Sequence, residues 1–226
     1  MPESKLMHPY PAVVDNGRLH YGGSQLLSDS KTIRDCGCGL IAACDLFLYL
    51  TRYHSHCNCS LFSSLKAEQP IRLSDYNSCL SAIRSIFPLI PHFGINGFLL
   101  SAGINRFFHR YQFPYRAQWA IRNDLLWPRV EEMLRNDIPV IISVGPNLPL
   151  FWNKHTACLY RSSPSGEKVA AASVTAHYMT ITAMDDEWIT VASWGRQYYM
   201  HRREYEEYVR AHSMSLVSNI VYIHKR

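Results

Sequence analysis

The stretch from Gly39 to Leu50, GLIAACDLFLYL, is apolar at almost every position. Wound into a helix, these side chains cover nearly the whole circumference instead of one stripe, so the helix has to be enclosed on all sides. Asp45 and Arg52 interrupt the run well short of the ~18 to 20 apolar residues that a membrane span requires. Protein must therefore do the enclosing. The remainder of the 226 residues has the means, with 47% apolar and 18% charged residues overall. A chain of this length buries roughly 70% of its unfolded surface, and its size fits one domain with insertions. The composition excludes collagen, coiled coil and wholesale disorder.

Around that helix the texture of the chain changes once. Residues 1–34 are polar and turn-rich, with Pro11, Gly17, Gly22 and Gly23, and read as an extended opening segment. The enclosed helix begins near Cys38 and runs to Tyr53. An irregular polar stretch, His54 to Pro70, follows. Ser74 and Asp75 are good capping residues for a helix carrying Tyr76, Leu80, Ile83 and Phe87, stopped by Pro88. Further helices fit Phe98 to Tyr111, read as a cover for the core, and Trp127 to Arg135, where Pro128 is tolerated in the first turn. From Pro139 onward the segments are strand-length: PVIISV, THACLYR, KVAAASV, HYMTITA, WITVASW and LVSNIVYI. In HYMTITA, His177, Met179, Ile181 and Ala183 share one face, and Tyr178, Thr180 and Thr182 the other. Helices followed by strands predict an α+β fold. Its helical lobe (35–137) contributes the central buried helix, packed against an antiparallel sheet from a β-rich lobe (138–226), all within one domain spanning 1–226.

Several function classes fall away. The N-terminal MPESKLMHPYPAVVDNG lacks the charged-then-apolar layout of a signal peptide; with no membrane span, a cytoplasmic location is expected. The net charge of +5 is scattered, interrupted by aromatics between Arg106 and Arg116 and balanced after Arg202 by Glu204, Glu206 and Glu207. A nucleic-acid footprint would be a concentrated stripe, so no nucleic-acid partner is expected. Gly37-x-Gly39-x-x-Ala42 fits the dinucleotide fingerprint formally, but the preceding SDSKTIRD is no buried strand and no carboxylate stands near residue 62. No cofactor is expected. His54, His56, Cys57 and Cys59 are spaced too tightly for a four-ligand zinc site and have no matching second pair, so they read as a solvated loop without metal. Seven cysteines, an odd number, read as thiols in a reducing compartment.

One of those thiols has a use. Cys38 is flanked by Gly37 and Gly39 and stands on the first turn of the enclosed helix. There the orphan amides and the positive end of the macrodipole favour a thiolate and lower its pKa. The glycines let a substrate backbone approach and leave amides free to receive an oxyanion. A base is needed, and His177 opens a strand 139 residues downstream, within the separation typical of one large group of cysteine peptidases. A third group usually orients such a histidine, and the next strand ends in Ala192-Ser193-Trp194-Gly195. Cys36, in Asp35-Cys36-Gly37, competes for the nucleophile role. Cys38 is preferred because the apolar helical pattern starts immediately after it and glycine stands on both sides.

These landmarks resemble the papain-like cysteine peptidases, in particular the bacterial branch related to the peptidases that trim double-glycine leaders from bacteriocins. Gly37-Cys38-Gly39 matches the family's nucleophile motif at the start of a central helix. Pro139-Val140-Ile141 matches a PVI-like strand, His177 to Asp186 an HY-initiated strand ending in an acidic turn, and Trp194-Gly195 a terminal WG pair. The landmarks span roughly residues 35 to 200; each is short, and their order and spacing carry the likeness. The resemblance implies a papain-like fold and hydrolysis of peptide or amide bonds, with Cys38 as nucleophile, His177 as general base and a peptide or protein as substrate. The chain departs from the pattern in two places. Ala192 stands where the family carries Asn, leaving Ser193 as the nearest oxygen; it can accept the Nδ1 hydrogen bond but supplies no charge. The family's oxyanion glutamine has one upstream counterpart, Gln25, 13 residues before Cys38. A Cys–His dyad is chemically sufficient. The missing Asp or Asn also leaves open a papain-fold protein that binds a peptide or protein partner with weakened catalysis, and an acyltransferase using the same dyad is not separable by sequence.

Overall fold

The computed structural model describes residues 3–66, 70–90 and 93–226. The apolar helix is α2, Cys38–Tyr53. Its side chains from Leu40 to Leu50 are buried, and Leu46, Phe47 and Leu48 are wholly so. Phe47 stacks on Phe107 at 3.6 Å between centroids and meets Phe87 and Phe108 edgewise or tilted. Those partners come from two later segments: α3 (Leu73–Arg84), with the turn after it, and α4 (Gly97–Arg110). In α4 the Asn96 side chain accepts the Leu99 amide as a cap. In α3 the helix begins at Leu73, so Ser74 and Asp75 sit inside the first turn and do not cap it.

Opposite the helices lies a nine-stranded antiparallel sheet in which β1 is Ser4–Lys5, β5 Tyr115–Trp119, β6 Val140–Val144, β7 Ala157–Ser162, β8 Lys168–Val174, β9 His177–Met184, β10 Trp188–Ser193, β11 Arg196–His201 and β12 Ile220–Lys225. The order is β5-β12-β6-β9-β10-β11-β7-β8, with β1 beside the end of β9. A small second sheet joins β2 (Ala12–Asp15), β3 (Arg18–Tyr21) and β4 (Ile71–Arg72). Every residue of β6 is buried and nearly every residue of β9, so both faces of the sheet centre are covered. Helix α2 packs on β9 and β6 from one side; α5 (Leu126–Arg135) also reaches β6, β9 and β12, and α6 (Arg202–His212) lies against β7 and β11.

The molecule is thus a mixed α/β protein with a large antiparallel sheet and several helices. The division at Pro139 is less sharp than the sequence texture implies. The helical half contributes β5 to the sheet, and the strand half contains α6. Residues 1–34 also hold more structure than an extended segment, with β1, β2, β3 and a short helix α1 (Lys31–Cys36). The expected solvated loop is largely packed: Cys57 and Cys59 are buried, and His54 bonds the Asp137 carbonyl and the Tyr115 hydroxyl. Residues 67–69 of that stretch lie outside the described residues. Among the described residues no helix is long and apolar enough to cross a membrane.

Candidate active site

Helices α1 and α2 meet at Gly37, and this junction separates the two competing thiols. Cys36, the last residue of α1, donates its Sγ proton toward the Thr32 carbonyl at 3.1 Å and lies 3.8 Å from that of Ile90. Cys38 opens α2 and faces a narrow cleft between α2, the start of β9 and the end of β10, lined among others by Gly23, Gln25, Cys38, Asp45, His177 and Ser193. The cleft holds about 20 Å³ of free space, room for a water molecule. The structure therefore brings Gln25, Cys38, His177 and Ser193 to one place and leaves Cys36 outside it.

Cys38 is partly exposed, and its sulfur is ringed by backbone amides of Tyr178, Gly39 and Cys38 itself. Burial pushes the thiol above its ordinary value, and these amides pull the other way without overcoming it. This corrects the expected low pKa. Helix start and amides are present as the sequence implied, but among the described residues no cation acts on the thiol to offset the desolvation.

His177 is the first residue of β9, in register with Val144 of β6. Its ring stacks on Trp194 at 4.6 Å, and its Nε2 lies 2.8 Å from Ser193 Oγ. The nitrogen facing Ser193 is Nε2, not the expected Nδ1, which leaves Nδ1 without that partner. Burial lowers the imidazole to about 4, so thiol and imidazole are both uncharged near neutrality. Ser193 ends β10, and the antiparallel pairing Ala192↔Thr180 sets it diagonally across from His177. The turn that follows is two residues long, Trp194 at φ 49° and Gly195 at φ 70°. A tryptophan rarely adopts positive φ; here its ring is held between His177 and Tyr198.

Alternation along β9 directs the Tyr178 ring toward α2, where a Cβ on Gly39 would lie 3.2 Å from it. It places His177 on the face shared with Met179 and Ile181. Accordingly no hydrogen bond joins the Cys38 thiol to the His177 ring. Gln25 lies on a short 3-10 turn, Gln25–Leu27, and one of its amide N–H groups donates to the Arg34 carbonyl at 2.9 Å.

Two contributors escaped the sequence reading. Tyr178 is the side chain that faces the start of α2. Asp45, buried inside α2, shares the cleft with Cys38; the signal for it was a lone carboxylate in an apolar helix two turns after the cysteine. Among the described residues no group of three or more His, Cys, Asp or Glu side chains is arranged to hold a metal ion. No family model matches the chain, and no curated protein or solved structure is significantly similar to it.

Proposed function

We propose that the protein is a cysteine hydrolase of papain-like fold acting on peptide or amide bonds, with Cys38 as nucleophile and His177 as general base. The observation that carries this reading is the meeting of four separate segments, bearing Gln25, Cys38, His177 and Ser193, at one cleft. The resting pair is a neutral thiol and a neutral imidazole, so proton transfer accompanies attack. On this reading the imidazole has to move from the face it shares with Met179 so that Nδ1 meets Sγ and takes the thiol proton. The sulfur then bonds to the substrate carbonyl carbon, whose oxygen becomes an oxyanion held by the Cys38 amide and Gln25. Collapse expels the amine, which takes the proton from His177, and water hydrolyses the thioester to free acid and thiol. Ser193 orients the imidazole without supplying charge.

A second reading, a papain-fold protein that binds a peptide or protein partner, draws support from the absent thiol–imidazole bond and the narrowness of the cleft. A thiol-directed acyl probe separates the two. On the hydrolase reading Cys38→Ala and His177→Ala each abolish turnover, and Cys36→Ala leaves it intact. Turnover that survives Cys38→Ala and disappears in Cys36→Ala would overturn the nucleophile assignment. Amine acceptors in the same assay reveal acyl transfer.

A further inference from the structure

Asp45 is a buried carboxylate, 2% exposed, and the one charged side chain in the apolar run Leu40 to Leu50 of α2. It follows Cys38 by seven residues, two turns of α2, and so stands on the same helix face. Both oxygens accept the Gly23 amide, at 3.1 and 3.0 Å; Oδ1 also accepts the Tyr76 hydroxyl at 2.8 Å, and Oδ2 the Tyr10 hydroxyl at 3.0 Å. Among the described residues no cation contributes to its shift. Burying a carboxylate without a counter-ion is costly, and three buried donors, the Gly23 amide and the Tyr10 and Tyr76 hydroxyls, offset that cost here.

The carboxylate acts on the cleft through one turn of chain. A Cβ on Gly22 would fall 2.6 Å from Asp45 Oδ2, and one on Gly23 would fall 2.0 Å from the Tyr76 oxygen, so the turn has to be glycine to come this close. Gly23 in turn accepts the Gly195 amide at 3.1 Å, and Gly195 accepts the Tyr21 amide at 2.9 Å. Gly195 directly follows Trp194, whose ring carries His177, and Gln25 lies two residues beyond Gly23. One relay thus joins the helix that bears the thiol to the β10–β11 turn, whose Trp194 ring stacks on the imidazole.

We infer that Asp45 is the positioning residue of the Cys38 site, holding the Gly22–Gly23 turn so that His177, through Gly195 and Trp194, and Gln25 keep their places relative to the thiol. The inference rests on the hydrolase reading of the cleft. The titratable groups facing the carboxylate are Tyr10 ahead of β2, Tyr76 of α3 and Cys44 of its own helix, each raised well above its ordinary value, chiefly by burial. From β9 it is Thr180, beside Tyr10, that faces this group. Burial raises Asp45 itself to about 6, against the hydrogen bonds from Tyr76, Gly23 and Tyr10. Protonation below that pH weakens its hold on the turn.

The test measures two rates against pH in the full chain: turnover of the acyl probe, and alkylation of Cys38 by iodoacetamide followed on its own peptide by mass spectrometry. Wild type should show a step near pH 6 in both. Asp45→Asn keeps the shape and an acceptor for Gly23; it should retain the melting temperature, lose at least about tenfold of both rates at pH 8, and lose the step. Tyr76→Phe removes a donor to the carboxylate and should move the step to higher pH. Asp45→Asn with wild-type rates and a wild-type step would overturn the inference. So would an Asp45→Asn protein that fails to fold alongside a Tyr76→Phe protein whose step has not moved. Absence of acyl-probe turnover in wild type, with the alkylation step present and shifted as described, would defeat the hydrolase reading and leave Asp45 positioning the thiol.

Discussion

At the scale of single residues, His177 and Asp45 place two ionisable groups beside one cleft with shifts of opposite consequence. His177, held near 4 in the fold, takes up a proton near 6.5 once unfolded. The unfolded chain therefore binds more protons between those values, and stability falls as pH drops from 6.5 to 4, by on the order of 3 kcal/mol. Asp45, held near 6 in the fold, titrates near 3.8 when unfolded. The folded chain binds more protons there, and stability rises by a similar amount as pH drops from 6 to 4. The two largely cancel in the intact protein. Urea unfolding between pH 4 and 7 should uncover each alone: His177→Asn gains stability on acidification and Asp45→Asn loses it. Parallel curves for both variants would refute these shifts. Ser193→Ala strands a buried imidazole nitrogen, which costs about 1 to 3 kcal/mol, and should slow acyl-probe turnover. Ser193, His177 and Cys38 were all legible as side chains, because glycines, strand alternation and a WG pair marked their places. The charge state of the thiol was not, since desolvation depends on what the whole fold stacks over it.

At the scale of elements, α2 is the piece most fully written in the local sequence, since a helix apolar on every side has only one place to go. Its packing should be correspondingly intolerant. Leu46→Ala and Phe47→Ala should each cost about 2 to 5 kcal/mol, measurable as a fall in the urea midpoint at unchanged slope; a loss under 1 kcal/mol would contradict full burial. The elements that went unread each carry a diluted pattern. In β5 the buried residues Tyr115, Ala117 and Trp119 alternate with exposed Arg116 and Gln118, but five residues after a run of aromatics and arginines give little periodicity to count. In α6, RREYEEYVRAH, only Tyr205 and Tyr208 are buried, so the charged majority hides an i, i+3 pair. β11 is masked by its closeness to β10, from which only Trp194 and Gly195 divide it.

At the scale of the whole molecule, the buried side chains form one continuous cluster that runs from Leu6 to Ile223. The helical and strand portions interlock through β5 and α6, so unfolding should be a single event. Far-UV circular dichroism, tryptophan fluorescence and Cys38 accessibility should give superimposable denaturation curves; an earlier transition in the thiol probe alone would show the cleft opening independently. The place of β12 has a further consequence, in the order of synthesis. It lies between β5 and β6, pairing Val221 with both Trp119 and Ile141, although the chain reaches it only after β7 to β11 and α6 have been made. Until then β5 and β6 present unpaired edges, and the sheet that backs the cleft is in two pieces. During synthesis the β5 and β6 edges therefore stay open until residues 220–225 have emerged, so the sheet that backs the cleft closes only with the last of the described strands.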